Sequence, residues 1–310
     1  VPAPFPIICG PTAGGKSALA IALAQRNAAR GHASCILAAD AFQVYKRMDI
    51  GTAKPSASER QGIDHRLIDL VEPSEGFSVQ QWLDACEQEL ERCRREHIAP
   101  IVVGGTHLYV KALLEGLFEG PGADESLRTE LARLSPEELR AELERVDPRA
   151  AARLHPNDLR RTMRAIEVFR LTGTPLSAHQ QQWDAGKVRP DARLVILNWP
   201  VEQINARINA RVKAMMAAGL LEEVRSLQAA RALGPLAREA LGYKQLIAHL
   251  EGRGTLEDAF EQIKIETRRF AKNQRAWLKR LSTTPGAITL DAAARSVDEM
   301  AERVDEALRH

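Results

Sequence analysis

Phe5-Pro6-Ile7-Ile8-Cys9-Gly10-Pro11-Thr12-Ala13-Gly14-Gly15-Lys16-Ser17 joins a short apolar run to a glycine-rich turn, and an Ala- and Leu-rich stretch reaching Ala29 follows. The run reads as a buried strand, and the stretch beyond it as a helix closed by Gly31. Residues 10–17 satisfy the pattern Gly-x-x-x-x-Gly-Lys-Ser/Thr in the place where it has mechanical meaning, between a strand and a helix start. Glycines let consecutive backbone N–H groups converge on phosphate oxygens, and the helix N-terminus adds a favourable dipole. Lys16 brings a point charge to the terminal phosphate, and Ser17 offers a hydroxyl to Mg²⁺. A chance Gly-rich turn is the bland alternative, which the flanking strand and helix argue against. Such a P-loop marks nucleotide- and ATP-binding proteins without saying which phosphate compound is held.

Working outward, a second apolar run from Cys35 to Ala39 ends at Asp40. That puts Asp40 at the carboxyl end of a buried strand, the side on which open α/β sheets bind ligands. Three roles compete for it: holding Mg²⁺ or a substrate hydroxyl in a kinase, accepting a proton from an attacking amine, or capping the next turn. Spacing alone leaves all three open. From Ser78 to Glu96 the period is helical, with Trp82, Leu83, Cys86, Leu90 and Cys93 along one face. Pro100-Ile-Val-Val103 then reads as a strand broken by Gly104-Gly105. Alternating strands and helices predict a parallel sheet covered on both faces.

From Gly120 to about Lys187 the texture becomes Arg, Glu, Ala and Leu with helical period and almost no strand signal. Arg193 to Trp199 predicts one more strand, and the remainder to His310 reads as largely helical. The expected fold class is α/β, a P-loop NTPase-like parallel sheet core with a helical insertion domain. Residues 1–120 and 190–310 would form the core with its C-terminal helices, and residues 121–189 the insertion. No fixed-period repeat is visible.

The net charge is only +2 over 310 residues, so the placement of positive charge matters more than its sum. Between Lys264 and Arg280 stand seven Lys or Arg and one acid, with Arg268, Lys272, Arg275 and Lys279 at helical spacing on one face. Ile263, Phe270 and Trp277 form a separate stripe that reads as core. A second basic run, Arg153 to Arg170, lies in the expected insertion. Two basic faces suggest tracks for a nucleic-acid backbone, an ordinary solvated face being the alternative. Arg207 and Arg211, one helical turn apart, are candidates for reaching a diphosphate, with the same alternative. Cys9, Cys35, Cys86 and Cys93 have no C-x-x-C pair and read as reduced thiols of a cytosolic protein. Scattered histidines give no metal-ligand spacing. No stretch of ~18 apolar residues exists to span a membrane. The start, Val-Pro-Ala-Pro-Phe-Pro, lacks the basic region of a signal peptide, so a cytoplasmic location is expected.

Several segments, taken in order, resemble the tRNA dimethylallyltransferase (tRNA isopentenyltransferase, or IPP transferase) family. After residues 10–17 come Asp40-Ala-Phe-Gln-Val-Tyr-Lys-Arg-Met-Asp-Ile-Gly-Thr-Ala-Lys-Pro55, Asp64-His-Arg-Leu-Ile-Asp-Leu70 and Val103-Gly-Gly-Thr-His-Leu-Tyr109 running into Lys111-Ala-Leu-Leu-Glu-Gly116. Then follow His155-Pro-Asn-Asp through Phe169, Leu241-Gly-Tyr-Lys244 and Thr267-Arg-Arg-Phe-Ala-Lys-Asn-Gln274. Most of the chain is covered, and the Asp49–Pro55 and His155–Asp158 segments are far more specific than a P-loop.

The resemblance implies dimethylallyl diphosphate as prenyl donor, Mg²⁺ as cofactor, and the adenosine 3′-adjacent to the tRNA anticodon as acceptor. Position by position, it makes Asp40 the general base on the adenine N6 amine, with Thr106 beside the base and the donor. Gly10, Pro11, Thr12, Ala13, Gly14, Gly15, Lys16, Ser17 and Arg211 would bind the diphosphate, and Ser17 the metal. Asp40, Ala41, Phe42, Gln43 and Thr106 would face the anticodon stem-loop, as would Arg128, Arg160, Arg161, Thr162, Met163, Arg164, Gly242, Tyr243 and Lys244, joined by Arg268 and Lys272 of the basic helix. The chain departs from the family pattern at Gly14 and Ala41, where Ser is usual, and at His107, Asn273 and Glu239, which bears on rate and tRNA preference. A small-molecule P-loop kinase, a transferase acting on free adenine nucleotides, and a non-catalytic RNA-binding protein are the rival readings. The working unit is taken as a monomer.

Overall fold

The computed structural model describes residues 4–117, 120–179 and 188–309. The first three residues of the start read for a leader, and the end of the helical stretch at Lys187, lie outside them.

Among the described residues the chain begins β1 (Phe5–Cys9), α1 (Lys16–Ala28), β2 (Ser34–Ala39), α2 (Ala57–Arg60), β3 (Asp64–Arg66), α3 (Val79–Glu96), β4 (Ala99–Gly104) and α4 (His107–Glu115). Five helices follow: α5 (Glu125–Leu131), α6 (Pro136–Val146), α7 (Pro148–Arg153), α8 (Leu159–Thr172) and α9 (Leu176–His179). The chain then runs through β5 (Ala192–Asn198), α10 (Val201–Ala217), α11 (Leu220–Ala229), α12 (Pro235–Arg238), α13 (Tyr243–Leu250) and α14 (Leu256–Leu281). Last come β6 (Ile288–Asp291) and α15 (Val297–Arg309).

The strands form one parallel sheet in the order β3-β2-β4-β1-β5-β6. Ile7 pairs with Val102 on one side and Leu194 on the other, so the P-loop strand lies inside the sheet. All five residues of β1 are buried, which is why it reads as an unbroken apolar run rather than an alternating one. One face packs α1 and α15 against Ile8, Val195, Leu197 and Leu290 through Leu19, Met300 and Val304. Helix α3 is pinned to β2 by Trp82, whose Nε1 donates to Ala38 O at 2.9 Å and whose ring stacks on Tyr109 at 4.6 Å. Because the strands are parallel, the segments leaving β1, β2, β4 and β5 emerge at one edge. That edge collects the P-loop, Asp40, Thr106 and Trp199.

Two strands depart from the sequence expectation. β3 is a three-residue polar edge strand, too short to show a period. β6 interrupts the stretch expected to be helical, where Pro285-Gly286 follows α14 and Ile288 and Leu290 alternate with exposed Thr289 and Asp291. Phe270 on α14 also corrects an expectation: it is 40% exposed and is not core, whereas Ile263 is buried.

The chain divides into two compact units, one made of residues up to Leu114 together with those from Arg189, the other of Glu115–Val188. The second unit is helical, with Leu131, Leu139, Leu143, Ile166 and Val168 at its centre. Buried Asp147 holds it together by accepting from the N–H groups of Ala150 and Ser177, at 2.9 and 2.8 Å. No helix among the described residues is long and apolar enough to cross a membrane. The four cysteines are free and buried.

Candidate active site

The P-loop is shaped first by its own backbone. Gly14 N–H donates to Pro11 O at 3.0 Å, and Gly15 enters α1 at a φ of +84°, which glycine adopts without steric cost. Ala13 holds the left-handed region at +59° with a Cβ in place, a conformation costing of the order of 1–3 kcal/mol. A Cβ at Gly14 would lie 2.8 Å from Pro11 O, so the serine usual in the resembled pattern requires this loop to shift.

Side chains from beyond β5 tie the loop's carbonyls. Trp199 Nε1 donates to Gly14 O at 2.9 Å and Arg207 Nε to Ala13 O at 2.8 Å, the guanidinium lying 4.6 Å from the centre of the Trp199 ring. A trans peptide points its N–H away from its C=O, so holding Gly14 O turns the Gly15 N–H to the opposite side. Helix α1 has no side-chain N-cap and no acid in its first turn, leaving its leading N–H groups available to an anion. Arg207 is thereby committed to the loop backbone.

Lys16 Nζ donates to Gly10 O at 3.1 Å and Pro11 O at 2.9 Å. Burial, and then repulsion from Arg211, brings its pKa down to about 8 against the opposing pull of Asp40 and Cys9. Burial likewise depresses Arg211, which Asp40 and Glu59 hold in its charged form. An anion placed near Lys16 and Arg211 relieves their mutual repulsion, and this is the electrostatic signature of a phosphate site. Ser17 is exposed in the first turn of α1. Its hydroxyl is a hard oxygen donor suited to Mg²⁺, an ion that takes few protein ligands beside substrate phosphates and water. Cys9, under the loop, has its thiol pushed up to about 12 by burial, with Lys16 pulling the other way, and is inert at neutral pH.

Asp40 Oδ1 accepts from the N–H of Phe42 at 2.9 Å and of Gln43 at 3.4 Å, so the turn-cap reading holds for one oxygen. Its charge is nevertheless felt by Lys16 and Arg211, which places the carboxylate beside the cradle. Thr106 Oγ1 accepts the Ala41 N–H at 3.0 Å, linking the turn after β4 to the turn after β2. Phe42 is half-buried, and its ring lies 6.5 Å from that of Tyr45. Gln43 Nε2 donates to Thr52 O and Ala53 O, at 3.1 and 3.2 Å, and so supports the following loop. His107 opens α4 with its ring stacked 5.4 Å from Trp277. Burial lowers its pKa to about 4, opposed by a backbone group of Gln274 and assisted by Lys16, so it is neutral at pH 7.

The Asp49–Pro55 segment owes its spelling to architecture. The Glu223 carboxylate accepts three successive N–H groups, from Asp49, Ile50 and Gly51, at 2.9, 2.8 and 3.1 Å, and also the Tyr243 hydroxyl. Lys54 is buried and bonds Tyr45 O, Asp49 and Asp69. Gly51 has no room for a Cβ, which would stand 2.3 Å from the Tyr243 ring.

Burial and pairing differ among the residues expected to contact tRNA. Tyr243 is fully buried and its hydroxyl is spent on Glu223, so no face is left for RNA. In the second unit Thr162 is buried, and Met163 packs on the core because it shares the inner side of α8. Arg128 and Arg164 converge on fully buried Glu167, at 2.8 and 2.5 Å, which makes them structural partners first. Arg160 and Arg161 are exposed there, Arg161 paired with Asp158. In the first unit Gly242, at φ +92°, starts α13, and exposed Lys244 pairs with Glu239. Arg268 bonds Asn209 at 2.6 Å, while Lys272 is exposed.

Sequence reasoning passed over Trp199, Glu223 and Gln274 as site residues. A lone Trp at a strand end and a lone Glu on a helix carry no local signal. Gln274 did close one of the quoted segments, yet only the fold shows it buried with its amide between the P-loop and the turn after β4.

A family model described as IPP transferase matches residues 43–281. A tRNA dimethylallyltransferase of Anaeromyxobacter dehalogenans is 44% identical over 279 residues, covering 88% of this chain and 89% of its own. One from Geobacillus kaustophilus is 41% identical over 278 residues, covering 88% and 86%. The crystal structure of a tRNA isopentenylpyrophosphate transferase from Staphylococcus epidermidis superposes with a TM-score of 0.70 at 31% identity, covering 99% of both chains. A eukaryotic dimethylallyltransferase described as acting on tRNA gives 0.78 at 30% identity, covering 93% of this chain and 73% of that one.

Proposed function

The chain belongs to the IPP transferase family, and from that premise we propose how it works: it transfers a dimethylallyl group from dimethylallyl diphosphate to the N6 amine of the adenosine 3′-adjacent to the anticodon in tRNA. The products are N6-(dimethylallyl)adenosine and diphosphate. The observation that carries the reading is the meeting, at one sheet edge, of an uncapped P-loop, the cations Lys16 and Arg211, and a carboxylate from the end of β2, one strand beyond β4, that acts on both.

The donor diphosphate lies along residues 10–17, its oxygens taken by the leading N–H groups of α1, Lys16 and Arg211. Mg²⁺ held at Ser17 supplies positive charge to the diphosphate when bound. As the allylic C–O bond breaks, its electron pair leaves on the diphosphate, and donors preorganised around that oxygen are worth ~3–4 kcal/mol each. The acceptor adenine leaves the anticodon stack, since base-modifying enzymes reach their atoms only on an extruded base. The N6 lone pair forms the new C–N bond, and the displaced proton passes to the Asp40 carboxylate, a contribution of about 10²–10⁴ in rate. Thr106 holds the Ala41 amide and so keeps the Asp40 turn in register with the base. Residues 121–189 act as a tRNA-contacting insertion in the P-loop core. The enzyme works as a cytoplasmic monomer.

Donor identity separates this reading from a P-loop kinase. With unmodified tRNA as acceptor, label should pass from dimethylallyl diphosphate and not from ATP. Label passing from ATP alone contradicts the proposal. Replacing tRNA with free adenine nucleotides should abolish transfer, because such an acceptor has no use for basic surfaces on α14.

A further inference from the structure

We infer that Gln274, on α14, is a positioning residue that fixes the diphosphate cradle against the turn carrying Thr106, and so sets the distance between the donor's allylic carbon and the acceptor amine. The inference rests on the reaction proposed above. Gln274 is 1% exposed. Its Oε1 accepts the Thr12 N–H at 2.7 Å, and its Nε2 donates to Gly105 O at 3.0 Å. One side chain thus spans the loops after β1 and β4, and the next bond in line runs from Ala41 N–H to Thr106 Oγ1 beside Asp40.

The chemistry of the two bonds selects the residue. The loop offers a donor on one side and an acceptor on the other, both main-chain and both fixed. A terminal amide is the side-chain group that accepts and donates at once at this length. Ionised glutamate lacks the donor, and methionine lacks the donor and offers only a weak sulfur acceptor. The fit is mutual: a Cβ at Gly105 would stand 2.6 Å from Gln274 Nε2, so the glycine leaves room for the amide. Helix α14 also docks onto this turn through Trp277 stacked on His107, a contact independent of the amide. A Gln274 variant therefore keeps the helix in place while releasing the tie between the two loops.

The test uses the full chain as Gln274→Met and Gln274→Glu beside wild type. Binding sites are counted by titration with dimethylallyl diphosphate, and the single-turnover rate is read with tRNA and donor saturating. For Gln274→Met the expectation is a full complement of sites with a rate lower by about 10–100-fold, since a misplacement of ~1 Å between reacting groups has that effect. Gln274→Glu should lose rate similarly and also bind donor more weakly, because it places a negative charge beside the diphosphate. A wild-type rate per site in either variant overturns the inference while leaving the proposed reaction intact. So does a defect explained wholly by fewer sites, which marks a residue that only stabilises the fold. Absence of transfer by the wild-type chain overturns the proposed reaction and this inference with it.

Discussion

Lys16 carries a testable consequence of its surroundings. Its pKa is held at about 8 by burial and by Arg211, and the protonated form is the one that attracts a diphosphate. Donor affinity should therefore fall as pH rises through about 8. Lys16→Arg cannot lose its proton in this range and should lack that limb. Donor titrations between pH 7 and pH 9.5 decide it, and a flat wild-type profile would remove the electrostatic account of the cradle. At this scale the sequence was most legible where chemistry is local. The P-loop spelling and Asp40 at a strand end could be read from local pattern, whereas Thr106 is singled out only by the family resemblance. Gln274 and Trp199 could not be read locally, because their roles consist of contacts with residues 262 and 185 positions away in the chain.

Elements show a different kind of legibility. The buried strands and α1 and α3 were readable from apolar runs and period, whereas β3 and β6 are short edge strands whose pairing comes from the sheet. The basic face of α14 was readable as a pattern, but not that Arg268 is tied to Asn209 or that Phe270 is exposed. The Asp49–Pro55 loop is fixed to α11 by Glu223. Glu223→Ala strips the acceptor from three N–H groups and a tyrosine hydroxyl, and should lower stability by roughly 1–3 kcal/mol. An unchanged thermal midpoint would contradict that role. In the helical unit, burial works to raise the pKa of Glu167, but hydrogen bonds from Arg128 and Arg164 outweigh it and the net direction is down. A carboxylate depressed on folding stabilises above its unfolded pKa, and that stability is lost as pH falls through the folded value. Glu167→Gln should be about 3–5 kcal/mol less stable at pH 7, as when one member of a buried pair is removed. The gap to wild type should narrow in acid, as denaturant titrations at pH 7 and below pH 4 would show.

For the whole molecule, a net charge of +2 conceals a face of α14 bearing exposed Arg269, Lys272, Lys279 and Arg280, and exposed Arg160 and Arg161 on the helical unit. If these meet ~6–10 phosphates, tRNA affinity should drop about 10³–10⁵-fold between 50 and 200 mM salt. Lys272→Glu with Lys279→Glu should weaken tRNA binding while leaving donor binding unchanged, a split that filter binding and donor titration can read. The central claim is that a phosphate cradle and an aspartate act together to move a prenyl group onto a nitrogen. Mass spectrometry of anticodon-loop nucleosides tests it most directly, after purified protein, Mg²⁺, dimethylallyl diphosphate and unmodified tRNA have reacted. Wild type should make one adenosine heavier by a five-carbon unit at the position 3′ of the anticodon. Asp40→Asn, whose amide oxygen can still cap the Phe42 turn, should bind both substrates and react about 10²–10⁴-fold more slowly. No heavier adenosine with wild type, or equal rates for the two proteins, would contradict the account.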